Sequence, residues 1–218
     1  MRRQDERLAV TEMTINNYTE LLAAIANFLN RDDLGEVSKT FVQFAEADIM
    51  RQIRNWRQEK RAEANLDTEY SALPADYYQT IRMTLNSSQV VNLELLSQFG
   101  MAERQQKAGN VSGTPKYYAI TSNQIQLFPA PDAPYSTQLY YYSKIEPLSD
   151  TNPTNWLLDT FPDCYLYSSL VHSAPYLNDD QRIQMWSALQ ASSIASINMD
   201  SQKSEFGGSG RRLKITAY

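Results

Sequence analysis

Cys164 and His172 are the only thiol and imidazole in the chain. A thiol becomes a nucleophile when an imidazole about 3 Å away accepts its proton. The residues around them predict a single helix, and eight positions at 1.5 Å of rise separate the two by about 12 Å along its axis. The pair therefore reads as a buried thiol and an ordinary histidine, not a dyad. Paired carboxylates are the other route to hydrolysis. Asp179-Asp180 and Asp32-Asp33 are the candidates, but both fall at predicted helix starts, where acids cap the helix and meet its dipole. Gly207-Gly208-Ser209-Gly210 follows a helix, the wrong order for cradling an anion at a helix start. A lone cysteine excludes an intrachain disulfide and four-cysteine zinc sites, and fits a reducing compartment. The sequence predicts no catalytic residue, no cofactor and no metal.

Binding surfaces are better represented. Arg54, Arg57 and Arg61, flanked by Arg51 and Lys60, fall within roughly 60° of one another if the second predicted helix continues past Arg57. Such a face meets DNA or an acidic partner, or else is a solvated face balanced by Glu46, Asp48, Glu59 and Glu63. Fourteen tyrosines concentrate in the middle of the chain and in the helix after it. Tyrosine favours strands, and it also favours interfaces because a large ring ends in a hydrogen-bonding tip. Tyr140, Tyr141 and Tyr142 are consecutive, so on a strand at least one ring must point away from a one-sided core. In the tail, Leu213, Ile215 and Ala217 alternate with Arg212, Lys214 and Thr216. That is strand patterning, able to join a partner's sheet or groove, or else a disordered end.

The elements that position these groups follow from periodicity. A first helix is predicted from Thr19 to Asn30, with Thr19 as N-cap and Leu21, Leu22, Ile25, Phe28 and Leu29 inward. A second runs from about Ser38 to Arg57 or beyond, burying Phe41, Phe44, Ala45, Ile49, Ile53 and Trp56. Strands are expected over Leu66–Leu73, Tyr77–Leu85, Lys116–Ile120, Gln124–Phe128 and Thr137–Ile145, with a tight turn at Asn123. Val90–Phe99 reads as a short helix and Ala102–Thr114 as a polar loop. One helical turn is predicted at Trp156–Asp159. A third helix starts with Pro162 at its first position, and a fourth is capped by Asn178 with Ile183, Trp186, Leu189, Ile194 and Ile197 on one arc.

The fold class is thus α+β: a helical bundle of two N-terminal and two C-terminal helices, an inserted antiparallel β region and an extended C-terminal tail. Residues 1–18 read as an arm without the apolar segment of a secretory signal. Residues 19–200 read as one domain, with helices over 19–61 and 154–200 and a β insertion over 62–150, followed by a linker and tail over 201–218. A net charge of -5 lacks the footprint of a dedicated nucleic-acid binder. No apolar run approaches the roughly 18 residues of a membrane span.

Several stretches, in this order, resemble the head-to-tail adaptor (connector) proteins of tailed bacteriophages. They are Thr19-Glu20-Leu21 through Phe28 to Leu34; Phe41 to Arg54 with Ala45-Glu46-Ala47; Tyr70-Ser71-Ala72-Leu73-Pro74-Ala75-Asp76-Tyr77; and Gly113-Thr114-Pro115 with Tyr118-Ala119-Ile120. They continue with Tyr141-Tyr142-Ser143-Lys144-Ile145, Pro153-Thr154-Asn155-Trp156-Leu157-Leu158, Pro162-Asp163 and Ala174-Pro175-Tyr176-Leu177. The resemblance implies a non-enzymatic virion protein of the neck, made in the host cytoplasm. It implies a ring, typically a dodecamer, below the portal, which continues the DNA channel and presents a platform for tail or nozzle proteins. It also implies that Arg211, Arg212, Leu213, Lys214, Ile215 and Tyr218 dock on the portal. Arg51, Arg54, Arg57 and Arg61 are then candidates for contact between subunits or with the DNA channel, with genomic duplex touched weakly. Tyr140, Tyr141 and Tyr142 are candidates for the tail side, and no membrane contact is expected. The competing readings are a tail-tube or nozzle component, a cell-wall hydrolase built on Asp179 and Asp180, and a DNA-binding regulator using the arginine face.

Overall fold

The computed structural model describes residues 14–86, 90–177 and 182–206. Residues 1–13 of the arm predicted over 1–18, the Asn178 cap with Asp179 and Asp180, and the glycine-linked tail from Gly207 lie outside these residues. The chain forms two compact units: Trp56–Lys144, and the segments on either side of it, up to Asn55 and from Ile145.

In the helical unit, α1 (Tyr18–Leu29) and α2 (Gly35–Gln52) come from the first segment; α4 (Trp156–Thr160), α5 (Pro162–His172), α6 (Ala174–Leu177) and α7 (Ile183–Phe206) come from the second. Helix α1 is capped by Asn17, not Thr19: the Asn17 Oδ1 accepts the Glu20 N–H at 2.9 Å, and the next residue, Tyr18, is buried. Leu21, Ile25 and Leu29 point inward as their spacing predicts, whereas Phe28 is partly exposed. On α2 the buried stripe is Ser38, Phe41, Val42, Ala45 and Ile49; Phe44, expected inside, is half exposed. Pro162 does begin α5, where its missing N–H costs nothing.

Helix α5 is the centre of this unit. Cys164, Tyr165, Leu166, Ser168, Ser169 and Leu170 are all buried on it, and it packs against α1, α2, α4, α6 and α7. Trp186 and Ile197 of α7 close one side, and Ile25, Phe41, Ala45 and Leu157 belong to the same core. Helix α7 runs on to Phe206, beyond the expected end near residue 200, and Leu189, expected in its core stripe, is partly exposed.

A polar chain threads this core. The Tyr165 hydroxyl donates to Glu46 Oε1 at 3.3 Å and accepts from Asn155 Nδ2 at 2.7 Å. Asn155 also caps α4, its Oδ1 accepting the Leu158 N–H, while Glu46 accepts the Leu148 N–H at 2.7 Å. Losing one such bond costs about 1–3 kcal/mol, whereas cutting a buried Trp such as Trp186 to Ala costs about 3–5. Apolar packing therefore carries the stability, and the polar chain fixes how α2, α4 and α5 meet.

The β unit pairs two four-stranded sheets. The strands are β1 (Glu59–Leu66), β2 (Tyr70–Ala72), β3 (Tyr77–Asn86), β4 (Val90–Asn92), β5 (Glu94–Leu95), β6 (Tyr117–Thr121), β7 (Gln124–Phe128) and β8 (Tyr135–Ser143), with helix α3 (Gln98–Ala108) between β5 and β6. One sheet has the order β1-β8-β3-β4, the other β2-β7-β6-β5. Met83, Leu85, Leu139 and Tyr141 of the first meet Tyr118, Ile125 and Leu127 of the second in one core. Strand β8 alternates cleanly, with Thr137, Leu139, Tyr141 and Ser143 buried. Ser122 and Asn123, both at positive φ, turn β6 into β7.

Five expectations are corrected here. The region is not wholly antiparallel, because β5 pairs with β6 in parallel. The strand predicted at 66–73 is the end of β1, a turn, and β2. Val90–Phe99 holds the two short strands β4 and β5 before it enters α3 at Gln98, and the expected polar loop is largely α3. That helix starts at a Ser97 cap and buries only Met101, so it shows no apolar stripe to read. Finally, α2 stops at Gln52 and does not reach Arg57.

Burial raises the Glu46 carboxyl above its ordinary 4.5, against the pull of the Leu148 N–H and Tyr165 hydroxyl. The folded state then holds a proton that the unfolded state has released, so this contribution to stability is complete below pH 4.5 and is lost as pH rises through the raised value. Glu46→Gln keeps an acceptor and stays neutral. Thermal melts from pH 4 to pH 8 should show the wild type losing ground to Glu46→Gln as pH rises; a constant difference, or one of opposite sign, contradicts the assignment.

Candidate functional site

The arginine face does not exist as a helix face. After Gln52 the backbone turns extended at Ile53 and is tied to α7: the Arg54 N–H donates to Asn198 Oδ1, Asn55 Nδ2 to the Ile197 carbonyl, and Asn198 Nδ2 to the Gln52 carbonyl. These tertiary bonds win over helix continuation, which no Gly or Pro in the sequence forbids. The four arginines consequently fall in different places. Arg51 lies in the last turn of α2 and pairs with Asp48 at 3.3 Å. Arg54 donates Nη1 to the carbonyls of Met50 and Ile53, closing the end of α2. Arg57 stacks on Trp56 in a short 3-10 turn, and Arg61 lies on β1 beside Glu63. Trp56, expected inside the second helix, is exposed in that turn.

The tyrosines are brought together as the strand period demands. Tyr141 faces the core, its hydroxyl donating to Asp76 at 2.9 Å; burial pushes its phenol up to about 12. Asp76 is held below the usual carboxylate range by Lys60, 2.7 Å away, and by that hydroxyl. Tyr140 and Tyr142 take the opposite face, both half-buried. Tyr140 is the cross-strand partner of Arg61 on β1 and of Arg82 on β3, and the Arg82 guanidinium lies 4.3 Å from its ring. This row of cation, ring and cation across three strands, with Tyr142 beside it, is the candidate contact surface of the β unit. Arg82 was not singled out from the sequence, although the alternation along β3 and β8 sets it opposite Tyr140.

A second surface was missed altogether. Val90, Val91, Leu95 and Phe99 are 70%, 46%, 54% and 79% exposed on β4, β5 and the start of α3. Reading that stretch as a short helix hid them. Exposed apolar groups grouped on one stretch mark contact sites better than scattered ones.

Among the described residues, the chemistry-bearing side chains do not assemble; Asp179 and Asp180 lie outside them. Cys164 and His172 stand at opposite ends of α5. His172 packs edge-on against Phe44, with Nε2 3.8 Å from Asp48. Asp33 does not cap α2, whose N-cap is Leu34; Arg31 grips Asp33 through Nε and Nη2 and holds its carboxyl below the usual carboxylate range. Of two cavities in the β unit, one of about 240 Å3 is lined by Ala62, Ala64, Leu73, Met83 and Ile125 among others. The other, of about 200 Å3, holds Glu69, whose carboxylate accepts from Gln105 and Gln126. Neither contains a pair of carboxylates. Among the described residues, no group of three or more His, Cys, Asp or Glu is placed to hold a metal ion, and no helix is long and apolar enough to cross a membrane.

Residues 16–213 match the model of the SU10 adaptor protein family, and the chain belongs to that family. No curated protein matches the chain. The family is one of bacteriophage structural adaptors, which points to a structural component that contacts other capsid or tail proteins and away from an enzyme.

Burial drives the Cys164 thiol up to about 12, with Asp163 adding to the effect. The nucleophilic thiolate is then scarce at neutral pH. Native protein at pH 8 should not react with a disulfide reagent over the minutes in which urea-unfolded protein reacts fully; rapid native labelling would contradict this.

Proposed function

We propose that this protein is the head-to-tail adaptor of a tailed phage, forming a closed ring, typically a dodecamer, beneath the portal. The ring extends the DNA channel and gives the tail or nozzle proteins a platform. The match to the adaptor family over residues 16–213 carries this reading. A ring subunit needs two unlike surfaces that meet head to tail around a closed axis, and two units of different chemistry in one chain can supply them.

Within this reading the tail from Arg211 to Tyr218, through Arg212, Leu213, Lys214 and Ile215, docks on the portal. The face of Tyr140 and Tyr142 serves the tail side, with Tyr141 holding the sheet beneath it. Arg51 and Arg61, both largely exposed, are the residues offered to neighbouring subunits or to DNA in the channel. Arg54 is occupied by the end of α2, and Arg57 is stacked on Trp56. A conduit should hold DNA weakly, since each phosphate neutralised adds affinity that slows passage. A chain of net charge -5 suits that role. Synthesis takes place in the host cytoplasm, and the protein ends in the virion neck.

Tagged portal rings should retain the full chain during purification, and deletion of residues 211–218 should weaken retention at least tenfold while leaving the melting temperature unchanged. Failure of the full chain to bind assembled portal contradicts the function; equal retention of the shortened chain removes the tail from it.

A further inference from the structure

Helix α7 carries no charged residue from Ile183 to Met199. Its inner face is accounted for by Trp186, by Gln190 bonding Asp48 and by Ser193 bonding Asp163. The outer face is not. Met185, Leu189 and Met199 are 54%, 37% and 56% exposed, with Ala188, Ser192 and Ala195 exposed between them. These six recur at steps of three and four within an arc of roughly 120°. That is the spacing of a seam between packed helices. A face meant for water carries ions, as α2 of the same unit does with exposed Glu36 and Arg51.

A second face of the same unit fits it. On α1, Thr19, Ala23 and Asn27 are exposed, and Leu22 and Ala26 are half-buried beside them. This face is also uncharged and has the same steps of three and four. Glu20 borders it beside Asn27, its carboxylate accepting bonds from Asn16. Both α1 and α7 pack on α5, so one scaffold fixes both faces. Neither face could pair the charges of DNA or of an acidic partner. Their alanines and serines let helix axes approach to about 8–10 Å, close enough for Met185 and Met199 to pack over Ala23.

We propose that the outer face of α7 docks on the outer face of α1 in the next copy of this chain, a head-to-tail contact repeated around the ring. The proposal rests on the ring reading and assigns its contact surface. The seam from Met185 to Met199 is about 21 Å long. A single helix pair of that length covers less than the roughly 800 Å2 per partner of a stable complex. Copies should therefore stay apart in dilute solution and join where the portal gathers them, each making two such contacts.

The test uses the full chain with Ala23→Cys and Ser192→Cys together, assembled on portal rings and treated with a short bismaleimide. Wild type, whose sole thiol is the buried Cys164, is the control. A ladder of covalent multimers from the double variant, absent from either single variant, is the expected result. Dimers from Ser192→Cys alone would mean that α7 meets α7, and would overturn the proposal. Assembly on portal without a ladder would overturn it and leave the ring standing; no assembly by the wild type would overturn both. As a second measurement, Ser192→Arg, at a solvent-facing position, should keep the melting temperature and abolish assembly on portal. Unchanged assembly would contradict the contact.

Discussion

Helix α5 has to be covered around most of its circumference. Cys164, Tyr165, Leu166, Ser168, Ser169 and Leu170 are buried, only the side of Asp163 and Tyr167 reaches water, and the covers come from α1 and α2 before the β unit and from α4, α6 and α7 after it. A helix buried over so wide an arc needs neighbours on several sides, so the two ends of the chain must close on it. The middle segment, Trp56–Lys144, then has no place in that core and folds as a unit with its own. The division of the molecule follows from one helix that cannot be left open.

That division shapes what the protein can do. The polar chain of Glu46, Tyr165 and Asn155 links α2, α4 and α5 beneath the outer faces of the helical unit. The β unit holds its contact residues differently. Tyr141 and Asp76 pin the inner face, so that Tyr140, between Arg61 and Arg82, is presented on the outer one. Two units presenting unlike surfaces suit a structural adaptor.

Much of this was legible where one period dominated. Leu21, Ile25 and Leu29 gave away α1, Pro162 marked the start of α5, and the alternation of Thr137, Leu139, Tyr141 and Ser143 marked β8. The failures share a cause: long-range bonds decided what local pattern left open. Residues 53–61 contain no helix breaker, and it is Asn198, far along the chain, that ends α2. Phe44 and Trp56 look like core residues by type and are exposed. Helix α3 buries one side chain, Met101, and so has no stripe to find. The arginine face failed for the same reason as the end of α2, since it presupposed a helix that tertiary bonds cut short.

The family match gives the class of the protein, and the architecture gives the means: a closed helical scaffold and a separate aromatic sheet. The most direct measurement of whether these serve as a neck ring is an electron cryomicroscopy reconstruction of the head–tail junction of the virion. The account predicts a closed ring of this chain against the portal, with α5 enclosed in each copy and helical units of neighbours touching. A neck in which this chain is absent, or present as isolated copies without mutual contact, would contradict it.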